Sequence, residues 1–423
     1  MSIRNHPLVH TLLHLKGNAR ACVITEPLWG IPYFLFMPYA SVYMLALGIK
    51  DAQIGLVTSI GMVSQIFFAI LSGALADKLG RRKVAFMFDT LGWAIPCLLW
   101  AISQNVVYFI IAAVFNGAWR VGMTAWTCLL VEDTNPDLLL DVYSWIYISG
   151  LLAAFFAPLT GLFIHSFSLI PTMRGLYIFG MVFMTTKFII LYKISRETKL
   201  GIIRMQETRN QGLFSMLGEY KSVFHKVMRT PGTLYTIGIL LVVTICLTIT
   251  NTFWSVIVTE KIHIPAQYVA LFPFARSVTM LFFFFLVMPR ISEMHFKKPM
   301  LSGFVLYIVS QSILISLPEQ NYVLLLLSTV LEACGYAALN PMLDKMLVVT
   351  VDANERARIM AIIYVIVIIL TTPFGFIAGE LSSINRNLPF VLNISIFIIG
   401  GFLTWFASRS SEKAALVERE AGF

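Results

Sequence analysis

Charge is scarce in this chain: only 13% of its 423 residues are Asp, Glu, Lys or Arg, about half the share that covers a soluble domain. So few ionic groups cannot clothe a water-exposed globule, and water is not the main solvent. Cysteine is also thin. Cys22, Cys97, Cys128, Cys246 and Cys334 form no CxxC pair and no Cys/His cluster, so neither a disulfide framework nor a bound metal is expected. No G-x-x-x-x-G-K-S/T loop is present, which leaves ATP hydrolysis without a phosphate cradle. No nucleophile and base converge in the pattern either, and the chain is not read as an enzyme. Alternation of apolar and polar residues over about ten positions is missing too; a run such as Leu281 to Met288, LFFFFLVM, is apolar on every side. That excludes a membrane barrel.

What the chain does have is apolar residues, 58% of the total, with a mean hydropathy of +0.80. They come in blocks such as Gln53 to Leu75, Val84 to Ile102 and Pro389 to Ala407. At 1.5 Å rise per residue, about 20 residues cross a hydrocarbon core of about 30 Å. Spans are expected near 21–47, 53–75, 84–102, 106–131, 142–164 and 172–194, then near 233–258, 267–289, 299–317, 322–350, 359–381 and 389–408. The fold class is therefore all-α integral membrane, with about 12 transmembrane helices. The stretch after Arg4, Lys16 and Arg20 is too long for a signal-peptide core and has no small-residue cleavage site, so it is expected to stay attached.

The net charge of +9 does not mark nucleic-acid binding, because the cations are sorted by side. With alternate loops assigned to opposite faces, one face collects Arg4 to Arg20, Lys78 to Lys83, Lys193 to Arg229, Arg290 to Lys298, Arg356, Arg358 and the Lys and Arg residues from Arg409 on. The opposite face has Lys50, Arg174, Lys261 and Arg386. The positive-inside rule places the basic face, both termini and the central loop in the cytoplasm. The layout is a bundle of six helices over 1–194, a central loop over 195–232, a second such bundle over 233–408 and a tail over 409–423. A shift of 215 residues carries Arg82-Lys83 onto Lys297-Lys298, Asp137 onto Asp352 and Pro158 onto Pro373, as a duplicated, pseudo-symmetric unit would.

Gly73 to Lys83 reads GALADKLGRRK. This resembles the G-x-L-x-D-x-x-G-R-R-K/R loop of the major facilitator superfamily, with Gly73, Asp77, Gly80, Arg81, Arg82 and Lys83 in register. The resemblance implies that family's fold, with spans one, four, seven and ten around a central cavity. It also implies a latch on the basic face, in which Asp77 and Arg81 meet an acidic partner, Glu132 or Asp133. Arg82 and Lys83 can equally serve as topology signals. The second-half loop, Pro289 to Lys298, keeps its basic pair but lacks both glycines. In helix five Ala153, Ala157, Pro158 and Gly161 resemble, in degenerate form, a glycine-proline motif of the family's exporters. Ordinary close packing explains the same ladder. Thr371, Pro373, Gly375 and Gly379 repeat the spacing in helix eleven.

Ionisable residues inside spans cost roughly 2.5–3.5 kcal/mol each on insertion scales and are functional candidates by default. Glu332 in helix ten is read as a proton or substrate site or as a structural ion pair, and Arg120 in helix four as either. Arg276 in helix eight is a counter-ion for Glu332 or a clamp for an anionic group. Glu26, beside Pro27 and near Trp29 and Tyr33, can bind a cation or a proton. Asp89 is expected to support the neighbouring loop, and Lys187 to snorkel to the interface.

These readings converge on a secondary transporter of a small-molecule substrate in the plasma membrane, needing only the lipid bilayer, a proton gradient and no bound cofactor, and able to act as a monomer. Proton-coupled efflux of a small hydrophobic or cationic compound, by antiport, is placed first. Uptake of a sugar, organic acid or peptide-like nutrient is the alternative, and a non-transporting sensor on a carrier fold is the third reading. In that last case the central loop, including the amphipathic piece Gly212 to Met228, would bind a partner or lie on the membrane.

Overall fold

A computed structural model describes residues 15–135, 138–210, 212, 231–287, 297–349 and 356–420, and among them every regular element is a helix. Twelve are long and apolar enough to cross a membrane: Gly17–Ala46, Asp51–Leu79, Arg81–Ala101, Val106–Val131, Val142–Phe167, Leu169–Ile194, Gly232–Glu260, Ala266–Phe284, Lys297–Ser316, Tyr322–Leu343, Ile362–Ile384 and Leu388–Ser408. These are the first to twelfth spans below. Large apolar side chains such as Phe67, Leu162, Phe282, Val323 and Phe402 are at least 60% exposed. Water would penalise such faces, whereas lipid tails accept them. The sequence expectation of an all-helical membrane protein with twelve spans is met.

The chain divides into two compact units, one of residues 1–49 and 57–218, the other of residues 50–56 and 219–423. The start of the second span therefore clusters with the second unit. In the first unit, the end that carries the Gly80 turn is filled by Cys22, Ala76, Val84, Ala125, Leu129, Leu130 and Leu191. The first span is segmented at its prolines, running Pro27–Phe36, a 3-10 turn Met37–Tyr39 and then Ala40–Ala46. The third span contains a π turn, Thr90–Ala94. A π turn leaves the regular hydrogen-bond ladder out of step, and Asn116 Nδ2 donates to Gly92 O at 2.7 Å across the adjoining span. The fifth span breaks between Leu139–Ala154 and Pro158–Phe167, where Pro158 lacks the amide that would continue the ladder.

In the second unit, the ninth and tenth spans pack antiparallel and closely. Ser310 and Ser328 exchange hydroxyl-to-carbonyl hydrogen bonds of 2.9 and 3.0 Å, and about two turns farther along Gly303 and Gly335 meet backbone to backbone. The helix of the eleventh span runs unbroken over Arg356–Ile384 with Pro373 inside it. The two proline positions that share one offset thus differ in outcome: a break at Pro158, continuity at Pro373. Asp51 and Gly55 lie against this helix. Ser382 Oγ donates to Asp51 Oδ2 at 2.6 Å, and a methyl on Gly55 would lie 2.8 Å from Gly379 Cα, with Gly375 O closer still.

Three features add to the sequence layout. The last helix continues over Leu388–Glu420, so residues 409–420 of the tail are helical. The central loop holds a helix, Lys199–Glu207, because Thr198 caps it by accepting from Gly201 N at 2.9 Å. Spans two and five are longer than expected, since their polar ends continue the helix beyond the apolar window. Asp137, Asp352, the loop 289–296 and the piece 213–228 lie outside the described residues.

Candidate functional site

Three groups of charged side chains sit among the spans, and each is built by different helices. The first surrounds the turn between the second and third spans. Gly80 turns the chain at φ +88°, a backbone region costly for any residue with a Cβ. The turn lets Arg81 fold back: its Nη1 lies 2.8 Å from Asp77 Oδ1 and donates to Ala76 O at 3.1 Å. Its Nε donates to both oxygens of Glu132 at 3.2 Å. Arg81 is 5% exposed and Glu132 11%, so the pair is shielded and geometrically fixed. Of the two acidic partners considered, Glu132 meets Arg81. Asp133 instead accepts from Lys199 N at 3.5 Å. All of these contacts lie within the first unit.

Arg82 turns the other way, donating from Nε to Tyr192 O at 2.7 Å with its guanidinium 4.2 Å over the Tyr192 ring. The backbone amides of Arg81 and Arg82, at the start of the third span, donate to Glu197 Oε1 and Oε2 at 2.9 and 3.0 Å. A carboxylate at a helix N-terminus satisfies orphan amides and the helix dipole together. Thr198 Oγ1 donates to Glu132, and Thr208 Oγ1 to Asp77 O. The segment after the sixth span is thus strapped across the turn. Glu197 and Thr198 escape sequence reasoning; the one available signal is an acidic residue set between Arg196 and Lys199.

The second group joins the first and sixth spans. Lys187 Nζ lies 2.8 Å from Glu26 Oε2, with the two side chains 6% and 14% exposed. The expected snorkelling of Lys187 is not found: its ammonium is held inward by Glu26 and framed by the rings of Trp29 and Trp126 at 5.8 and 5.6 Å. Asp89 is also buried, at 8% exposure, and lines a narrow crevice with Arg82 and Ser195. Arg120, on the fourth span, donates from Nε to Gln65 Oε1 at 3.1 Å and stacks 4.4 Å from the Trp119 ring.

The third group lies in the second unit. Arg276 Nη1 on the eighth span is 3.2 Å from Glu332 Oε1 on the tenth, with the guanidinium side chain 24% exposed and the carboxylate 4%. The Tyr336 ring lies 5.3 Å from the guanidinium. Tyr307 Oη, Gln311 Nε2 and Gln311 Oε1 are buried without hydrogen-bond partners. Tyr307 and Gln311 are one turn apart on the ninth span, and a Cβ on Gly335, one turn along the tenth span from Glu332, would lie 3.1 Å from the Tyr307 ring. The arrangement brings together an ion pair and neutral polar groups with unspent hydrogen-bonding capacity in an apolar bundle.

Ala157, Pro158 and Gly161 flank the break in the fifth span, where Thr160 Oγ1 donates to Leu35 O at 2.8 Å. Outside the spans, Lys261 Nζ donates to Ile315 O at 2.5 Å, and burial pushes its ammonium below its ordinary pKa. No group of three or more His, Cys, Asp or Glu side chains suited to a metal occurs among the described residues.

Comparison with known proteins bears on the whole chain. The Major Facilitator Superfamily profile matches residues 30–293 and 236–422. A mouse protein, "Major facilitator superfamily domain-containing protein 10", is 30% identical over 123 residues, which is 29% of this chain and 26% of that protein. The matched stretch is thus about a quarter of that relative's length. Among solved structures, a mutant of nucleoside transporter NupG has a TM-score of 0.73 at 16% identity, covering 92% of this chain and 100% of that one. A POT family transporter in complex with 5-aminolevulinic acid has a TM-score of 0.70 at 12% identity, covering 93% and 96%. The human organic anion transporter MFSD10 has a TM-score of 0.57 at 14% identity, covering 95% and 100%. The motif around Arg81, the twelve spans and the profile match over both units agree: the chain belongs to the major facilitator superfamily and is a multi-pass membrane transporter.

Proposed function

We propose that the chain is a proton-coupled exporter of a small hydrophobic or cationic compound, working by alternating access in the plasma membrane with its basic face in the cytoplasm. The observation that carries this reading is the Arg276–Glu332 pair inside the second unit. The two side chains form one ion pair inside an apolar bundle, so whatever binds Glu332 must compete with Arg276. A cationic solute and a proton are alternatives for one carboxylate. Such competition yields antiport: the solute leaves as the proton arrives, and neither moves without the other's release. Tyr307, Gln311 and Tyr336 supply polar and aromatic surface beside the pair. The break at Pro158 supports export, since it gives the fifth span a flexion point where the exporter-like motif lies.

A second reading rests on exposure: Arg276 is the more accessible member of the pair. Protonation of Glu332 would free the guanidinium to take a carboxylate from an organic anion, with solute and proton moving together. The similar human structure titled an organic anion transporter, MFSD10, fits this reading.

The test is proton flux in liposomes carrying purified protein, with tetraphenylphosphonium as the cationic probe and fluorescein as the anionic one. Wild type should move protons against one probe, and Glu332→Gln should still bind it without moving protons. Equal coupling in Glu332→Gln would remove Glu332 from the mechanism. A response to fluorescein alone would favour the second reading.

A further inference from the structure

The second unit carries an apolar groove between the ninth and twelfth spans. Its volume is about 400 Å³, within the roughly 300–1,000 Å³ of small-molecule sites, and every side chain that lines it is aliphatic or aromatic. One wall is a stripe of the ninth span, Leu301, Val305 and Ile308; the other is Ile398, Phe402 and Trp405 of the twelfth. Val305, Ile398 and Phe402 are exposed, so the groove opens to the surface that hydrocarbon covers.

Two adjacent glycines shape it. A Cβ on Gly400 would lie 2.7 Å from the Phe304 ring, whereas a Cβ on Gly401 would meet nothing within 4 Å. The helices touch at Gly400 and leave a cleft at Gly401. The floor is fixed as well. Phe397 is buried, with its ring 6.0 Å from Phe304 and stacked on Tyr307 at 4.5 Å. A cleft already set in shape costs little ordering when it is filled.

Charge at one end indicates what fills it. Lys298 lies three residues before Leu301 on the ninth helix and Lys297 four before it, so the lysine pair continues the stripe of the wall toward the basic face, about 5 Å beyond Leu301. The spans are antiparallel, and the contacts of Phe304 with Gly400 and Phe397 set a register that brings Lys298 level with Trp405. Arg409 follows Trp405 by one turn of the same helix. A slender apolar ligand with an anionic head meets both demands. A second copy of the chain does not: in a two-fold pair about the membrane normal the patch meets itself, and each lysine pair would face its own counterpart. The leaflet that attracts basic segments is the one rich in anionic lipid.

We propose that the groove binds one acyl chain of an anionic phospholipid, whose headgroup phosphate is held by Lys297 and Lys298 at the basic face. The second chain of the lipid stays in the bilayer.

The experiment is native mass spectrometry of the detergent-purified full chain, titrated with dioleoyl phosphatidylglycerol or with dioleoyl phosphatidylcholine, which carry identical chains. Wild type should retain one phosphatidylglycerol at a concentration about tenfold lower than phosphatidylcholine requires, as two lysines near an anionic headgroup would give. Gly401→Leu fills the cleft without a clash and should weaken phosphatidylglycerol retention about tenfold through lost chain contacts. Val305→Trp fills it from the other wall and repeats the test if Gly401→Leu fails to fold. Lys297→Gln combined with Lys298→Gln should lower phosphatidylglycerol to the level of phosphatidylcholine. Glu332→Gln should leave retention unchanged, which separates this site from the coupling proposed above. Equal retention of both lipids by wild type, or full retention of phosphatidylglycerol in both groove-filling variants, would overturn the proposal. So would a wild-type dimer that excludes the lipid and is lost in Gly401→Leu, which would give the groove to a second copy.

Discussion

Replacing Glu197 by Ala tests whether the strap across the Gly80 turn stabilises the first unit. The carboxylate accepts from the amides of Arg81 and Arg82 at 2.9 and 3.0 Å. Hydrogen bonds to a charged group contribute about 1.5–3 kcal/mol when buried. Glu197 is half-buried, so about 1–1.5 kcal/mol each is the appropriate figure, or about 2–3 kcal/mol for both. At about 3 °C per kcal/mol for a unit of this size, the melting temperature should fall by about 6–9 °C. Intrinsic tryptophan fluorescence during heating of detergent-purified protein reads this directly, because Trp29, Trp93, Trp119 and Trp126 all lie in the first unit. Glu197→Gln keeps one acceptor oxygen but loses the charge, and should recover about half of the loss. A melting temperature for Glu197→Ala within a degree of wild type would refute the reasoning: the amides would then be equally well served by water, and the strap would be an adornment of the turn.

Other substitutions probe the remaining features. Gly80→Ala combines the φ of +88° with a Cβ 2.7 Å from Glu197 Oε2; it should cost about 2 kcal/mol or more by the same melt, and an unchanged melt would mean the turn relaxes freely. Gly55→Ala inserts a methyl against the backbone of Gly375 and Gly379, and overpacking of about 1–3 kcal/mol should appear as easier thermal aggregation. Tyr307→Phe removes a buried hydroxyl that has no partner, so stability should change by less than about 0.5 kcal/mol. A loss of transport in that variant with stability intact would identify the hydroxyl as a solute contact.

The helices were legible in the sequence because hydrocarbon imposes a length. The expected span 106–131 coincides with Val106–Val131, and the expected 142–164 differs from Val142–Phe167 only in its last turn. Charges within apolar runs stood out for the same reason, so Glu332 and Arg276 were visible, and only their 3.2 Å approach needed a structure. What stayed hidden depends on tertiary placement. Lys187 near a helix end reads as an interfacial lysine, and nothing local reveals that Glu26, 161 residues earlier, lies within hydrogen-bonding distance. Glu197 likewise looks like a loop residue until the N-terminus of the third span is placed above it. The helix Lys199–Glu207 went unseen because its nine residues are too short for an apolar window and are set by a cap rather than by hydrophobicity.

The π turn at Thr90–Ala94 fixes the rotational phase of the third span. One additional residue in a helix rotates everything on one side of it by about 100° relative to the other side. Asp89 immediately precedes that turn and packs against Gly122, and Gly92, inside the turn, packs against Trp119. The extra residue sets how the half of the span after the turn is rotated relative to the half before it. Deleting one residue from the turn would leave composition, hydropathy and span length almost untouched, yet it would swing Asp89 about a quarter of a revolution relative to the half of the span that follows the turn. In this span the chemistry of a buried carboxylate is set by a count of residues as much as by their identity.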